Sequence, residues 1–416
     1  MKKVFALVTA LALLMGLSAC GSKKIPTLRV LYLSGPQAEA AQSMATEYLA
    51  KFGVKVKVVS MPYSELHYTV LNEIGGEYYD VVGISSRWDG ACAGFLTDLT
   101  DYIEEDDYDL DAYIPNITGQ CGTWQGTTYG IPFASSPLVC AYRTDLFPDG
   151  LPEQWDDYLA AVTAVGGDGF YGDSLGGITG QAGRVFEYIL WSMGGSLADE
   201  QWNVTVDSPE TRAALEYLKA LNVNGAVSPD WLSRGTGDSV QEFLSGRSAV
   251  CESWPAPELV QAADDPARSR VVGSWDLAPI PRGETGLTLL DAWSTAIPAG
   301  SEQQDLAWEW IKMFTTYENQ IRSYEEYGVL PPQEAFWERD GIKGTYLDTV
   351  RAALDTGNSG WRIPAETEVG SVLRAEIGAY LSGSQDLEST VAGMDAGIRR
   401  ALESDPVAAG VVNRGR

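Results

Sequence analysis

Four short stretches of the sequence place a tryptophan next to or near a charged side chain. They are Arg87-Trp88-Asp89, Glu252-Ser253-Trp254, Asp291-Ala292-Trp293-Ser294 and Trp361-Arg362. Sugars present apolar C–H faces and a rim of hydroxyl groups, so a sugar site needs flat aromatic rings together with planar hydrogen-bonding groups. Each stretch lies beside the end of a predicted strand, where both kinds of group can face a ligand. The stretches therefore indicate a sugar site, and core packing is the alternative role of each tryptophan.

One pattern typical of enzymes occurs without the residues that its chemistry requires. Gly172–Gly176 reads Gly-Asp-Ser-Leu-Gly, which matches the turn that carries the nucleophilic serine of many hydrolases. Such a serine needs a histidine base later in the chain, whereas the one histidine, His67, precedes it. We therefore predict no catalytic residue and no cofactor. A pair of carboxylates for glycoside hydrolysis stays open as an alternative, because 57 acidic residues offer many pairs.

Length and charge limit the class of protein. A chain of 416 residues exceeds one ordinary hydrophobic core, so two lobes are expected. The formal charge is −28, and without residues 1–19 it is −30, from 27 basic and 57 acidic residues. Nucleic acid and anionic lipid both require basic patches, so the folded body is not expected to bind either of them.

The N-terminal residues are typical of an exported lipoprotein. A start with two lysines precedes the apolar run 4–17, which is too short to span a bilayer comfortably. Leu17-Ser18-Ala19-Cys20 then resembles the lipobox of bacterial lipoproteins. Residues 1–19 are therefore predicted to be a signal peptide, and 20–27 a tether that is lipid-anchored through Cys20 to the outer face of the cytoplasmic membrane. The alternative is an ordinary secretory signal in which Cys20 is incidental.

Export changes the interpretation of the other four cysteines. An even number in an oxidising compartment predicts two disulfides, for which three connectivities exist. We favour Cys92–Cys121, which closes a modest loop, and Cys140–Cys251, because both of its cysteines lie on predicted strands. Buried free thiols are the alternative. No metal site is predicted, because there is no Cys-x-x-Cys spacing and only one histidine, His67.

Predicted strands and helices alternate in the first part of the chain. The strands are 27–33, 54–59 and 80–84, and the helices are 37–51 and 64–72. This alternation predicts a mostly parallel sheet, in which ligands bind beyond the carboxyl ends of the strands. The loops after Leu33, Val59 and Ile84 are therefore candidate ligand-binding loops.

The later part of the chain is predicted to be mostly helical. The predicted helices are 152–165, 182–194, 208–222, 238–245, 365–381 and 386–403, with more than one helix within 301–326, and the predicted strands are 248–251, 271–279 and 288–297. No sequence repeat and no long linker separates two contiguous blocks. Two lobes joined by several short crossings of the chain would explain that absence.

Several sequence blocks, taken in order, resemble a known family. The blocks include Gly126–Phe133 with Ser135-Ser136, Asp80-Val81-Val82, Phe243–Val250, Asp276–Pro281 before Trp293-Ser294, and Gly328–Pro331. Together they are similar to the extracellular solute-binding proteins of carbohydrate ABC importers, the relatives of maltose-binding protein. The resemblance covers nearly the whole mature chain. It implies an α/β fold of two lobes around a hinge with three crossings, the type II periplasmic-binding-protein-like fold.

The resemblance also implies lobe boundaries and ligand contacts. The first lobe would comprise 28–138 and 277–328, and the second 139–276 and 329–416. The expected ligand contacts are Trp88, Asp89, Ser135, Ser136, Trp254, Asp291, Trp293 and Arg362. The expected function is capture of a sugar by hinge closure and its delivery to the permease subunits of an importer, by a protein that is a monomer and not an enzyme. The alternatives are the same fold with a non-sugar solute, such as a glycerol-phosphate ester or a polyamine, a secreted glycoside hydrolase, and a surface lipoprotein that binds no solute.

Overall fold

The computed structural model describes residues 25–76, 78–177 and 181–409. The strands are Thr27–Leu33 (β1), Lys55–Met61 (β2), Val81–Ser85 (β3), Thr123–Trp124 (β4), Thr127–Thr128 (β5), Gly130–Ala134 (β6), Val139–Arg143 (β7), Tyr171–Ser174 (β8), Ser248–Ser253 (β9), Trp275–Ala278 (β10), Thr288–Leu289 (β11), Trp293–Ala296 (β12) and Gly357–Asn358 (β13). The α-helices are Pro36–Phe52, Tyr63–Glu73, Asp89–Cys92, Thr100–Glu105, Pro115–Gln120, Trp155–Val165, Gln181–Ser192, Pro209–Val223, Thr236–Leu244, Pro257–Ala263, Gln304–Phe314, Tyr317–Tyr327, Glu334–Trp337, Leu347–Asp355, Glu366–Leu381 and Leu387–Ser404.

A five-stranded sheet forms the centre of the first lobe. Its order is β2-β1-β3-β12-β6, with β1 parallel to both neighbours and β12 antiparallel to β3 and β6. The helix Pro36–Phe52 packs on this sheet through Ala41, Met44 and Tyr48, which are fully buried, and it ends at Gly53 in a left-handed conformation with φ 66°. The predicted alternation of parallel strands and helices is confirmed.

A four-stranded sheet forms the centre of the second lobe. Its order is β10-β7-β9-β8, and only β8 and β9 are parallel. Because β10 pairs with β7 in this sheet, the expected return to the first lobe at residue 277 is wrong. The chain rejoins the first sheet only at β12. The predicted strand 288–297 is accordingly two strands, since β11 pairs with β13 and β12 lies in the first sheet.

Hydrogen bonds join the three chain crossings between the lobes. The backbone N–H of Ser135 donates to the carbonyl of Leu330 at 2.9 Å, and the N–H of Asp291 donates to the carbonyl of Ser136 at 2.9 Å. The hydroxyl of Ser135 also donates to the carbonyls of Leu330 and Pro331, at 3.3 Å each. The crossings therefore form one connected hinge.

The prediction of helices within 301–326 is confirmed. There are two, Gln304–Phe314 and Tyr317–Tyr327, and the Thr316 hydroxyl accepts the N–H of Asn319 at the start of the second. Strand β8 was missed, because its sequence Tyr-Gly-Asp-Ser has few strand-forming residues. Ser174, in the hydrolase-like pattern, lies at the end of this strand, and its hydroxyl donates to Glu242 at 2.9 Å.

The predicted disulfides are absent from the described residues, where Cys92, Cys121, Cys140 and Cys251 are all buried free thiols. The register of β7 and β9 explains why Cys140 and Cys251 do not form a disulfide, because Cys140 lies opposite Glu252 and Cys251 lies opposite Ala141. A shift of one residue puts two side chains on opposite faces of a sheet. Cys140 and Cys251 accordingly pack in different hydrophobic clusters, as do Cys92 and Cys121, so the prediction of two disulfides is wrong.

Two carboxyl groups lie side by side in the core of the second lobe. The hydroxyls of Tyr158 and Tyr188 donate to Asp173 and Glu252 respectively, and the two carboxyl groups are close enough for each to affect the pKa of the other. Burial raises the pKa of Asp173 to about 6 and that of Glu252 well above its usual range. The folded state therefore favours the protonated form of this pair.

Replacement of Asp173 by Asn is expected to stabilise the protein at pH 8. A carboxyl group with a raised pKa contributes its full stability below about pH 4 and loses it as the pH rises through about 6. Asn does not titrate, so the gain in the free energy of unfolding is expected to reach up to about 3 kcal/mol at pH 8 and to vanish near pH 4. Urea unfolding at pH 4 and at pH 8 measures the difference in the free energy of unfolding between Asp173→Asn and the wild type. The exposed Asp149→Asn is the control, and an equal effect of Asp173→Asn at the two pH values would contradict the prediction.

Candidate functional site

A cavity of about 380 Å³ lies between the two lobes. The first lobe contributes to its walls Tyr63, His67, Arg87 and Trp88, and the second lobe contributes Arg184, Glu187 and Glu366. A cavity with walls from two hinged lobes is a common position for a ligand site.

Local sequence explains how each wall is built. Tyr63 and His67 are four residues apart on the helix Tyr63–Glu73, so they lie on one face of it. Arg87 and Trp88 directly follow β3, so the cavity lies beyond the carboxyl ends of parallel strands, as predicted. Arg184 and Glu187 are three residues apart on the helix Gln181–Ser192.

Aromatic rings form much of the first-lobe wall. The ring of Trp88 packs edge-to-face against His67, Tyr63 and Trp293, with centroids 4.7, 5.8 and 5.8 Å away. The indole N–H of Trp88 is buried and has no hydrogen-bond partner among the described residues. Burial lowers the pKa of His67, so its ring is neutral at pH 7. This wall combines apolar surface with an unused donor.

Charged groups connect the two walls. The Nη2 of Arg87 lies 2.5 Å from Oε1 of Glu366 and 3.6 Å from Oε2 of Glu187. An Nη2 of Arg184 donates to the hydroxyl of Tyr63 at 3.2 Å. Burial raises the pKa of Glu187 to about 7, although Arg87 acts in the opposite direction. These contacts join the lobes across the cavity, so the structure has the closed arrangement of the two lobes.

Asp89 and Arg362, two of the expected ligand contacts, bind each other instead. The Nε and Nη2 of Arg362 donate to the two carboxylate oxygens of Asp89 at 2.7 Å each. The same carboxylate accepts the N–H groups of Gly90 and Gly122, at 2.7 and 2.8 Å. Arg362 has a left-handed backbone with φ 62°. The pair is a buried connection between the segment after β13 and the first lobe.

The other expected contacts have different positions, and of the eight only Trp88 lines the described cavity. Ser135 and Ser136 belong to the hinge. Asp291 accepts a hydrogen bond from the Ser85 hydroxyl at 2.5 Å. Trp293 packs behind Trp88, and Trp254 packs at the edge of the second-lobe core. Cys20, the predicted lipidation site, lies outside the described residues.

Sequence reasoning missed most of the charged cavity residues. Arg87 was noticed as a neighbour of Trp88 but was not selected. Arg184 and Glu187 could have been found, because two charged residues three positions apart lie on one face of a predicted helix that is otherwise mostly apolar. The structure buries every residue of this helix from Val185 to Ser192. Glu366 begins the helix Glu366–Leu381 and has no comparable signal.

The family model for "Bacterial extracellular solute-binding protein" matches residues 34–321. The chain belongs to this family. None of the helices in the described ranges is long and apolar enough to cross a membrane.

Individual relatives of this solute-binding protein are distant. A probable ABC transporter-binding protein of Deinococcus radiodurans is 26% identical over 299 residues, which are 67% of this chain and 69% of the relative. A mannitol-binding protein of Pseudomonas aeruginosa is 29% identical over 224 residues, 51% of this chain and about half (49%) of that protein. An ABC transporter solute-binding protein from Agrobacterium radiobacter, solved with ribitol, has a TM-score of 0.79 at 24% identity and covers 90% of this chain and 98% of its own. The last comparison shows the two-lobe fold.

Replacement of Asp89 by Ala is expected to lower the free energy of unfolding by about 3–5 kcal/mol, because Arg362 would remain buried without its counter-ion. Urea denaturation of the ligand-free protein measures the loss. Glu153→Ala is the control, since it removes an acid that pairs with Arg282 at 2.6 Å on the exposed surface. Equal stability of Asp89→Ala and the wild type would show that this ion pair does not hold the structure together.

Proposed function

We propose that this chain is the substrate-binding component of an ABC importer, which captures a small sugar or sugar alcohol by closure of its two lobes. The observation that carries the proposal is the cavity with one wall from each lobe, joined across by ion pairs. A ligand in this position contacts both walls only in the closed form, so its binding favours that form. The closed protein would then deliver the ligand to the permease subunits.

The hydrogen-bonding groups of the two walls favour a ligand with hydroxyl groups. The first-lobe wall offers donors on Arg87 and Trp88, and the second-lobe wall offers acceptors on Glu187 and Glu366. A hydroxyl group donates and accepts, so a row of hydroxyls satisfies both walls at once. A ligand with only donors or only acceptors satisfies only one of these two sets of groups.

Charge and size narrow the class of ligand further. Two arginines, Arg87 and Arg184, face two glutamates, of which Glu187 is partly protonated near pH 7, so the cavity carries little net charge. This balance favours a neutral ligand over a phosphate ester or a polyamine. The volume of about 380 Å³ is at the small end of the range of ~300–1,000 Å³ for ligand pockets. A sugar alcohol, a monosaccharide or a disaccharide fits this description, and the mannitol-binding relative and the ribitol-bound structure support it.

The N-terminal sequence supports a position at the outer face of the cytoplasmic membrane. Acylation of Cys20 would anchor the protein there, and 20–27 would serve as the tether. The protein would act as a monomer beside its permease. Mass spectrometry of the protein from membranes tests the anchor, since Cys20→Ser should remove the lipid and release the protein.

Thermal unfolding against a panel of solutes tests the proposed function. The fragment from Lys24 onward is screened with ribitol and mannitol, mono-, di- and trisaccharides, glycerol 3-phosphate and a polyamine. A ligand at about 100 times its Kd adds roughly 2.7 kcal/mol of stability, which raises Tm by several degrees. A shift with a neutral polyhydroxyl compound that is recovered intact supports the proposal. Consumption of the sugar would indicate a hydrolase, and the absence of any shift would contradict sugar capture.

Affinity is expected to fall as the pH rises from 6.5 to 7.5. Closure raises the pKa of Glu187 to about 7, whereas hydration in an open cleft returns it toward about 4.3. The closed form therefore holds the proton more tightly, and this contribution is lost as the pH rises through 7, which weakens binding about threefold. Burial in the cleft lowers the pKa of His67, so His67 acts in the opposite direction and reduces the net change below that from Glu187 alone.

Isothermal titration with the ligand from the panel measures this pH dependence. Glu187→Gln is expected to remove the fall in affinity, whereas His67→Gln removes the opposing contribution and is expected to steepen the fall. A fall in affinity that Glu187→Gln leaves unchanged would contradict the role of Glu187.

A further inference from the structure

Arg87 is almost fully buried, with 2% of its side chain exposed, yet it uses only part of its hydrogen-bonding capacity. Its Nη2 faces the second lobe, 2.5 Å from Oε1 of Glu366 and 3.6 Å from Oε2 of Glu187. Its Nε and Nη1 are buried and have no partner among the described residues. Buried donors are nearly always paired in folded proteins, and Arg87 is one of the residues that line the cavity, so its unpaired donors point to a missing partner.

The position of Arg87 is linked to the hinge through a short chain of hydrogen bonds. Its backbone N–H donates to the hydroxyl of Ser85 at 3.3 Å, and that hydroxyl donates to Asp291 at 2.5 Å. The backbone N–H of Asp291 donates to Ser136 in another crossing at 2.9 Å. The residue that faces the cavity is thus attached to two of the three crossings.

We infer that Arg87 has two roles in one side chain: it holds the lobes closed through Glu366 and Glu187, and it donates to hydroxyl oxygens of the ligand through Nε and Nη1. The inference rests on the proposed function and adds a residue that determines affinity and specificity. Opening of the cleft would separate Nη2 from both carboxylates, because they belong to the other lobe. Ligand binding and closure of the lobes are therefore coupled through one guanidinium group.

Three variants separate the two roles. R87K keeps a positive charge for Glu366 but lacks the two unpaired N–H groups. E366Q removes the main ion pair and leaves Nε and Nη1 in place. R87Q removes both roles. R282Q is the matched control, because Arg282 forms an ion pair with Glu153 on the exposed surface, at 2.6 Å.

Isothermal titration of these full-length variants with the ligand found in the solute panel is the first experiment. R87Q is expected to raise Kd about 10- to 100-fold, the usual cost of lost hydrogen bonds to a charged group. R87K is expected to raise Kd about tenfold, and R282Q is expected to match the wild type. A Kd for R87Q within twofold of the wild type would overturn the ligand role.

The double variant R87Q/E366Q tests whether the two residues act through one contact. If they do, the combined effect on Kd is smaller than the product of the two single effects, because the contact between the two residues is lost only once. If the two effects on Kd multiply, the residues act independently and the inferred coupling is wrong. The Tm of each ligand-free variant verifies folding, and R87K with E366Q carries the test if R87Q does not fold.

A ligand-free measurement makes the closing role independent of the proposed function. Nitroxide labels on Lys57→Cys and Ser382→Cys in a Cys20→Ser background, both exposed and on different lobes, report the distance between the lobes by pulsed electron resonance, since Cys92, Cys121, Cys140 and Cys251 are buried. We expect a closed population in the wild type and in R87K that R87Q and E366Q remove. Distances that R87Q leaves unchanged would overturn the closing role. Wild-type protein that binds no solute in the panel would instead refute the proposed function alone.

Discussion

The hydrogen bonds between the three chain crossings are the constraint on which the rest of the structure depends. Ser135 binds Leu330, and Asp291 binds Ser136, so the three crossings are held together as one hinge. The segments after β2 and β3 and the helix Gln181–Ser192 contribute residues to opposite walls of the cavity. The hinge thus determines which side chains face each other across the cleft, and the cavity follows from that geometry.

Two buried arginines show how structural and functional charges differ in this protein. Each nitrogen of the Arg362 guanidinium has an acceptor: Asp89 for Nε and Nη2, Gly119 for Nη1, with Thr123 as a second acceptor for Nη2. Arg87 is equally buried but has partners for Nη2 alone. A fully paired ion holds a fold together, whereas a partly paired one beside a cavity is available to a ligand. Their chemistry is identical and only their surroundings separate the roles.

The family and the fold do not identify the ligand, which depends on the side chains in the walls of the cavity. Related structures below 25% identity share the two-lobe architecture with this chain, and this fold by itself does not identify a ligand. Here the whole chain carries a formal charge of −28, yet the cavity, with two arginines and two glutamates, carries little net charge. The acidic surface and the neutral cleft are therefore independent features, and only the second concerns the ligand.

The sequence by itself determined the elements with strong periodicity: the parallel strands β1 to β3, the helices between them, the crossover at Ser135-Ser136 and the family. Local patterns carry these features, because each depends on residues close together in the chain. Only the tertiary structure decided which side chains line the cavity. Asp89 was expected to bind a ligand, but its carboxylate instead accepts hydrogen bonds from Arg362, which is 273 positions away in the chain. A one-residue offset between β7 and β9 likewise separates Cys140 from Cys251. Register and long-range pairing depend on how distant segments pack, and composition and spacing do not encode that directly.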